Sequence, residues 1–386
     1  MKSAFAIFAA LSVCTVAAAL KPAKFIAHGW DCQSASPAAV LENADLFAET
    51  ALDGISLSVR FKKADGTDCG YRTMFNDPAW EWSDVTNLVP TLRAIVKHQG
   101  LKDSMLSSFR CPKKRLDWRD DAEWARFANN MAVMARLAKT SGVVGLMIDP
   151  EDYPRTKQFY RIDGDPEYDE AVKLARQRGR EVFGAVFKEY PDVVLLAFWF
   201  VSLNKEAYDA LDPMQALRDV KGLWPAFVDG LLDVIPPKAV FVDGNENTYR
   251  AEAATRAFFA DACRQQKEAL SIVSAENHEK YRLHHRTGAA IYIDMYVNEF
   301  PGGRSFWYFP PLDGSRTKRF AVNFEEAALA AEWVWLDGER RTWVPWRGHH
   351  MRNWGRRDTW EKCLPGMWDA MRAARKNRDK VLGETK

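Results

Sequence analysis

Residues 149–152 read Asp149-Pro150-Glu151-Asp152 and follow directly on the apolar run G-L-M-I at 145–148. Three carboxyl groups in four positions can do acid–base work, because neighbouring carboxylates raise one another's proton affinity towards neutral pH. If extended backbone persists through Pro150, side-chain alternation turns Asp149 and Glu151 to one face, with Cα atoms roughly 6.6 Å apart. One carboxyl then holds or tunes the other while the other meets substrate, and Asp152 is left for the turn. The competing structural reading makes Asp149 a turn cap and Glu151 the partner of a nearby arginine.

Glycosidic bond hydrolysis is the chemistry such groups serve. It needs two carboxyl groups flanking the scissile bond, about 5–5.5 Å apart for retention and about 6.5–9.5 Å for inversion. Asp149 and Glu151 share one strand end, so the opposing group must come from elsewhere. Glu246 is the first choice: it closes V-D-G-N-E at 242–246, where the glycine permits a tight turn after a strand. Glu339 is the second and Asp294 the third.

Groups so far apart in sequence meet only if regular elements carry them to one place. Short apolar runs recur at 24–30, 54–61, 104–110, 142–149, 193–200, 239–243, 289–296 and 332–337. Between them lie amphipathic segments, such as 37–51, 120–140 and 169–190, with apolar residues three and four apart. Near-continuous apolar strands alternating with helices predict a parallel sheet covered on both faces. Eight strands predict an α/β fold of the (β/α)8, TIM-barrel type, a single domain with a long loop after strand seven at 297–323. A doubly wound nucleotide fold is disfavoured, since H-G-W-D-C-Q-S after the first strand holds no G-x-G-x-x-G turn. The expected layout is a signal peptide at 1–19, the catalytic barrel at 20–345 and a helical extension at 346–386 packed on the barrel.

Barrel chemistry stands at the carboxyl ends of the strands. Those ends hold His28, Trp30 and Asp31 on strand one, Arg60 on two, Arg110 on three, and Asp149 with Glu151 on four. Strand five ends in Trp199, and six runs into Asp243, Asn245, Glu246 and Tyr249. Seven carries Asp294, Tyr296, Asn298 and Glu299, and eight ends in Trp335, Asp337 and Glu339. The expected catalytic set is Glu151, Glu246, Asp149 and Glu339. The expected substrate-binding set is Trp30, Asp31, Arg60, Arg110, Trp199, Asp243, Tyr249, Asp294, Tyr296 and Trp335. Trp307 is a further stacking candidate. In the blander reading the arginines are ion-pair partners of the carboxylates and the tryptophans are core.

The chain has 386 residues, 47% of them hydrophobic, enough to bury a full core. With 54 basic and 52 acidic residues spread along it, the net charge is only +2, which argues against nucleic acid as the main partner. Fifteen tryptophans are many for this length and suit stacking on sugar rings. The start, M-K-S-A-F-A-I-F-A-A-L-S-V-C-T-V-A-A-A, has the layout of a secretory signal peptide, so export is expected. Of the six cysteines, Cys14 falls inside that segment. The other five include no C-x-x-C pair; they fit either a Cys32 disulfide to Cys69 or Cys111, or buried thiols throughout.

Strand four, G-L-M-I-D-P-E, resembles the G-x-D-x-D-x-E strand of chitinase-type hydrolases, in which the final glutamate is the acid. Only the last D-x-E is kept here, with Leu146 and Met147 where that pattern has further acidic character. Over most of its length the chain is similar to uncharacterised secreted (β/α)8 proteins grouped with the glycoside hydrolases. The matching features are Gly29-Trp30-Asp31, Asp243-Gly244-Asn245-Glu246, and Trp333-Val334-Trp335 through Glu339. The resemblance implies a fold and a reaction class, a secreted glycosidase acting on a poly- or oligosaccharide, and no particular sugar.

Two other classes compete. A metal-dependent hydrolase would need clustered ligands, yet the seven histidines include no H-E-x-x-H, and His28 with Asp31 is the one mouth candidate. No metal or other cofactor is therefore expected. A nucleophilic serine lacks its G-x-S-x-G turn. A non-catalytic carbohydrate-binding barrel would need aromatic rings and no converging carboxylates, which are costly to hold together without a chemical use.

Overall fold

The computed structural model describes residues 23–29, 32, 35–153, 155–298, 308–338 and 359–384. The expectations placed on 1–19, Trp30, Asp31, Glu299, Trp307 and Glu339 lie outside the described residues.

Among the described residues ten strands follow in chain order: β1 (Lys24–Ala27), β2 (Gly54–Leu57), β3 (Arg60–Lys62), β4 (Asp68–Gly70) and β5 (Met105–Ser107), then β6 (Gly145–Ile148), β7 (Val194–Ala197), β8 (Val240–Asp243), β9 (His285–Tyr292) and β10 (Trp333–Asp337). Eight of them close a parallel barrel in the order β1-β10-β9-β8-β7-β6-β5-β2, while β3 and β4 form a separate antiparallel ribbon. The strands are short and apolar because each is covered twice, by the barrel interior and by helices outside. In β6 all four residues are buried, with Leu146 opposite Leu195 and Met147 opposite Leu196.

Among the described residues six long helices pack around or against the barrel: α1 (Asp121–Ser141), α2 (Tyr168–Glu189), α3 (Trp224–Val234), α4 (Ala257–Lys267), α5 (Arg316–Ala330) and α6 (Met367–Glu384). In α1 the buried face runs through Trp124, Phe127, Met131, Met134 and Ala138, the three-and-four spacing of one helix side. Asp120 caps its start by accepting from the Glu123 N–H at 3.0 Å, and Gly142, at φ +75°, ends it in the left-handed region.

Most strands end before the expected residue, and three of the boundaries that differ bear on the site. The strand read at 54–61 stops at Leu57, and Arg60 belongs to the β3–β4 ribbon, opposite Gly70. The strand read at 289–296 spans His285–Tyr292, and a helical turn, Asp294–Val297, follows it. In both places the apolar alternation outlasts the barrel hydrogen bonding, so pattern alone overruns. The loop read at 297–323 is cut short by α5, which starts at Arg316 under a Ser315 cap and buries Phe320 and Phe324. The density of Pro and Gly upstream hides that start.

The C-terminal helix α6 lies along α5 and braces the amino-terminal end of the barrel. Arg375 donates to Asp53, the residue before β2, at 2.8 and 3.0 Å. The buried Arg378 donates to the carbonyls of Leu329 and Ala331 at 3.1 and 2.9 Å. No described helix is long and apolar enough to cross a membrane.

Candidate active site

At the tip of β6 the strand ends at Ile148, one residue before the acids. Asp149 is buried and divides its two oxygens between two donors. Oδ2 lies 2.6 Å from Nε of Arg110, which follows β5, and Oδ1 accepts the backbone N–H of Glu151 at 3.1 Å. A side chain accepting from the N–H two residues on is an Asx turn. Asp149 and Glu151 thus share a site because the chain turns, and not because an extended strand continues through Pro150. Asp152 anchors the loop beyond, accepting from the N–H groups of Thr156 at 2.9 Å and Lys157 at 2.5 Å.

Glu246 reaches the same mouth from β8. The N–H of Gly244 donates to Ala197 O at 2.8 Å, and that of Glu246 donates to Phe198 O at 3.0 Å, pinning the turn to the end of β7. Asn245, at φ +47°, takes the left-handed position that the sequence reading would give to the glycine. Gly244 serves close approach instead: a Cβ there would lie 2.4 Å from Ala197 O and 2.8 Å from Trp335 Nε1, which donates to Gly244 O at 2.8 Å. Gly244→Ala should therefore lower stability by about 1–3 kcal/mol, the usual range for forcing an extra methyl into a packed site. Urea unfolding of the variant beside the parent measures it.

Asp337 closes β10 and accepts from the Tyr249 hydroxyl at 3.0 Å and from the Gly338 N–H at 2.7 Å. The sequence reading selects Glu339 on this strand; counting the strand to its final residue would select Asp337. His28, after β1, is buried with Nδ1 2.8 Å from Ser56 Oγ, and burial, with Arg110 and Arg72 nearby, holds it near pKa 3, hence neutral.

The electrostatics follow from packing several carboxyls into a half-dry mouth. Burial and then the charge of Asp149 push Glu151 up to about 8, opposed by a hydrogen bond from Tyr153 and by Arg110. Glu246 is raised well above the ordinary carboxylate range, by burial first and then by Glu151, Asp337 and Asp149. Burial raises Asp337 to about 6 against the pull of its two hydrogen bonds. For Asp149, burial raises the proton affinity while Arg110 opposes it. Glu151, Glu246, Asp337 and Asp149 thus act on one another across three loops. Among the described residues no three His, Cys, Asp or Glu side chains come together in a way that would hold a metal ion.

Other expected site residues fall elsewhere. Asp243 is fully buried beneath the mouth and accepts from the Ser202 N–H at 2.8 Å and from the Ser202 hydroxyl, so it fixes a loop. Trp335, also fully buried, stacks on Phe198 at 4.5 Å and forms floor. Tyr249 lies over that floor, 5.5 Å from Trp335, and acts through Asp337. Tyr296 turns away to α5, accepting from Asn323 Nδ2 at 3.0 Å and packing on Phe320. Asp294 is buried near Asp337, whose proton affinity it raises. Trp199 is half-buried and lines a small side cavity with Asp152 and Trp224. Cys69 and Cys111 are both thiols, so neither carries the disulfide to Cys32 that the sequence allowed.

A cleft of about 640 Å³ opens beside Glu151 and runs out to the β3–β4 ribbon. Tyr153 stands at its rim, 63% exposed, with the Arg110 guanidinium 5.0 Å from its ring centre. Arg60 and Arg110 both line this cleft, together with Arg72, which the sequence reading does not single out.

No family model matches the chain, and no curated protein sequence does either. Among solved structures, a GH18 chitinase from Pseudoalteromonas aurantia shares 14% identity over 82% of this chain and 94% of its own, with a TM-score of 0.39. A GH36 alpha-galactosidase from Geobacillus stearothermophilus shares 9% over 94% of this chain and 42% of its own, at 0.43. A 3-keto-D-glucoside 4-epimerase from E. coli shares 12% over 92% and 99%, at 0.41. These likenesses assign neither a family nor an activity, and the barrel rests on the strand order of the chain itself.

Proposed function

We propose that this protein is a glycoside hydrolase that works by two-carboxylate acid–base catalysis, with Glu151 as the acid and Glu246 as the opposing group. The observation that carries the reading is that these two glutamates reach one mouth from β6 and β8, where burial and Asp149 raise Glu151, and burial and then Glu151 raise Glu246. Two such groups lose their protons in separate steps, so the pair holds a single proton over a wide pH interval. We place that proton on Glu151, because the Asp149 charge is the second cause of its elevation and only the last for Glu246. Glu151 then protonates the glycosidic oxygen, and ionised Glu246 acts on the sugar from the other side, either directly or through water. Asp337, set by Tyr249, is a third acid within electrostatic reach. The signal-like layout of residues 1–19 extends the proposal to an exported enzyme acting on a poly- or oligosaccharide.

The test is turnover of a panel of polysaccharides and aryl glycosides by the purified protein, with and without chelator. Release of reducing sugar at the same rate in both conditions is expected. Binding with no turnover of any glycan would identify a non-catalytic carbohydrate-binding barrel, and activity abolished by the chelator would identify a metal-dependent hydrolase.

A further inference from the structure

The cleft beside Glu151, about 640 Å³, falls within the usual range for ligand sites, about 300–1,000 Å³. Glu151 and Tyr153 both line it, whereas Glu246 is not among its described lining residues. On the glycosidase reading the scissile bond lies between the two glutamates, at the inner end of the cleft. Glu151 gives its proton to the departing oxygen, so the path that leads away on its side takes the departing part of the chain. Tyr153 stands on that path, two residues beyond the acid.

The loop ties that ring to the acid. Asp149 Oδ1 accepts the Glu151 N–H at 3.1 Å, while Oδ2 lies 2.6 Å from Arg110 Nε. The guanidinium carbon of Arg110 lies in turn 5.0 Å from the Tyr153 ring centre, a cation–π contact. One buried carboxylate thus sets the backbone of the acid and, through Arg110, the place of the ring. Single exposed rings are common on protein surfaces. This one is set apart by its anchoring from below and its position beside the acid, with 63% of its surface still open. The matching chemistry is the C–H face of a pyranose, apolar across the ring and wet at its hydroxyls, against an aromatic face that is apolar with a polar tip.

We propose that Tyr153 is the stacking platform for the departing sugar, so that the substrate is an oligo- or polysaccharide with a pyranose ring beyond the scissile bond. The inference rests on the glycosidase reading but fails separately from it. Tyr153→Ala and Tyr153→Phe proteins are compared with the parent on the most responsive of cello-, xylo-, manno- and galacto-oligosaccharides. The second substrate is the glycosyl fluoride of the same sugar, which carries no departing sugar. In Tyr153→Ala, kcat/KM for the oligosaccharide should fall roughly tenfold relative to that for the fluoride, mainly through KM. Tyr153→Phe keeps the ring and should hold the oligosaccharide KM within about threefold of the parent. Since the position is exposed, the melting curves of both variants should match the parent's. A role confined to shaping the loop would slow both substrates alike; that result, or an unchanged oligosaccharide KM in Tyr153→Ala, overturns the proposal. The same oligosaccharides are titrated calorimetrically into the parent and Tyr153→Ala. Binding that weakens in the variant, with no turnover of any glycan by the parent, would leave the platform standing and remove the glycosidase. Turnover by both proteins with equal KM would do the reverse. No binding of any of these oligosaccharides to the parent overturns the platform.

Discussion

Glu151→Gln should lower kcat by roughly 10²–10⁴, the range for removing a general acid, with KM nearly unchanged. The amide keeps the shape of the side chain but has no proton to give to the leaving oxygen. Aryl glycosides with good leaving groups need that proton least, so they should lose least, a pattern that a purely structural role would not produce. Linkage adds a stability signature. Glu151 titrates near 8 in the folded chain against an ordinary 4.5. Between those values the folded state holds a proton that the unfolded state has released, so stability falls as pH rises from about 4.5 to about 8. The amide of the variant cannot titrate. Glu151→Gln protein should therefore unfold at a higher urea midpoint than the parent above pH 8, with the two curves converging near pH 4. Loss of activity together with gain of alkaline stability is the mark of an acid held protonated by its site. A parent-like rate would remove Glu151 from the mechanism.

Asp149→Asn should act on both stability and the pH profile. Arg110 and Asp149 are 16% and 6% exposed, and breaking such a pair leaves one buried charge without its partner. The cost should be about 3–5 kcal/mol, towards the lower figure because Arg110 keeps some water. The pH effect has a fixed sign. Asp149 raises the proton affinity of Glu151 and Arg110 lowers it, so deleting the anion and leaving the cation both push Glu151 down. The alkaline limb of kcat/KM, set near 8 in the parent, should move to lower pH. Pairing Asp149→Asn with Arg110→Met should restore part of the stability. Urea melts and pH–rate profiles of the three proteins measure both effects, and an alkaline limb that stays in place would show that Asp149 does not tune Glu151.

The barrel itself is legible from sequence. Its eight strands are short, apolar and separated by helices with a single buried face, and those patterns follow from local burial alone. The acids at 149–152 are legible for the same reason, since charges directly after a buried strand must sit at its end. Asp152 as the turn residue is also legible, because its hydrogen bonds are to the next few residues.

Where a strand stops is less legible. Arg60 moves out to the β3–β4 ribbon, where it still lines the cleft, and Tyr296 leaves the mouth, because hydrogen bonding to the neighbouring barrel strand ends before the apolar alternation does. Whether a carboxyl is site or scaffold depends on partners far away in the chain. Ser202 occupies Asp243, Tyr249 holds Asp337, and Arg110 holds Asp149, each pair meeting across tens of intervening residues. The placing of two arginines in the cleft has the same origin. Arg60 and Arg72 are near neighbours in sequence, but only the closing of the β3–β4 ribbon sets both around Tyr71 and turns them towards Glu151. Burial and alternation act over a few residues, so the chain pattern alone specifies the barrel and an acid at the tip of its fourth strand. Charge acts through space, and a linear pattern does not record distance. Which acids share one field, and which cations face them, is therefore settled only by the folded chain.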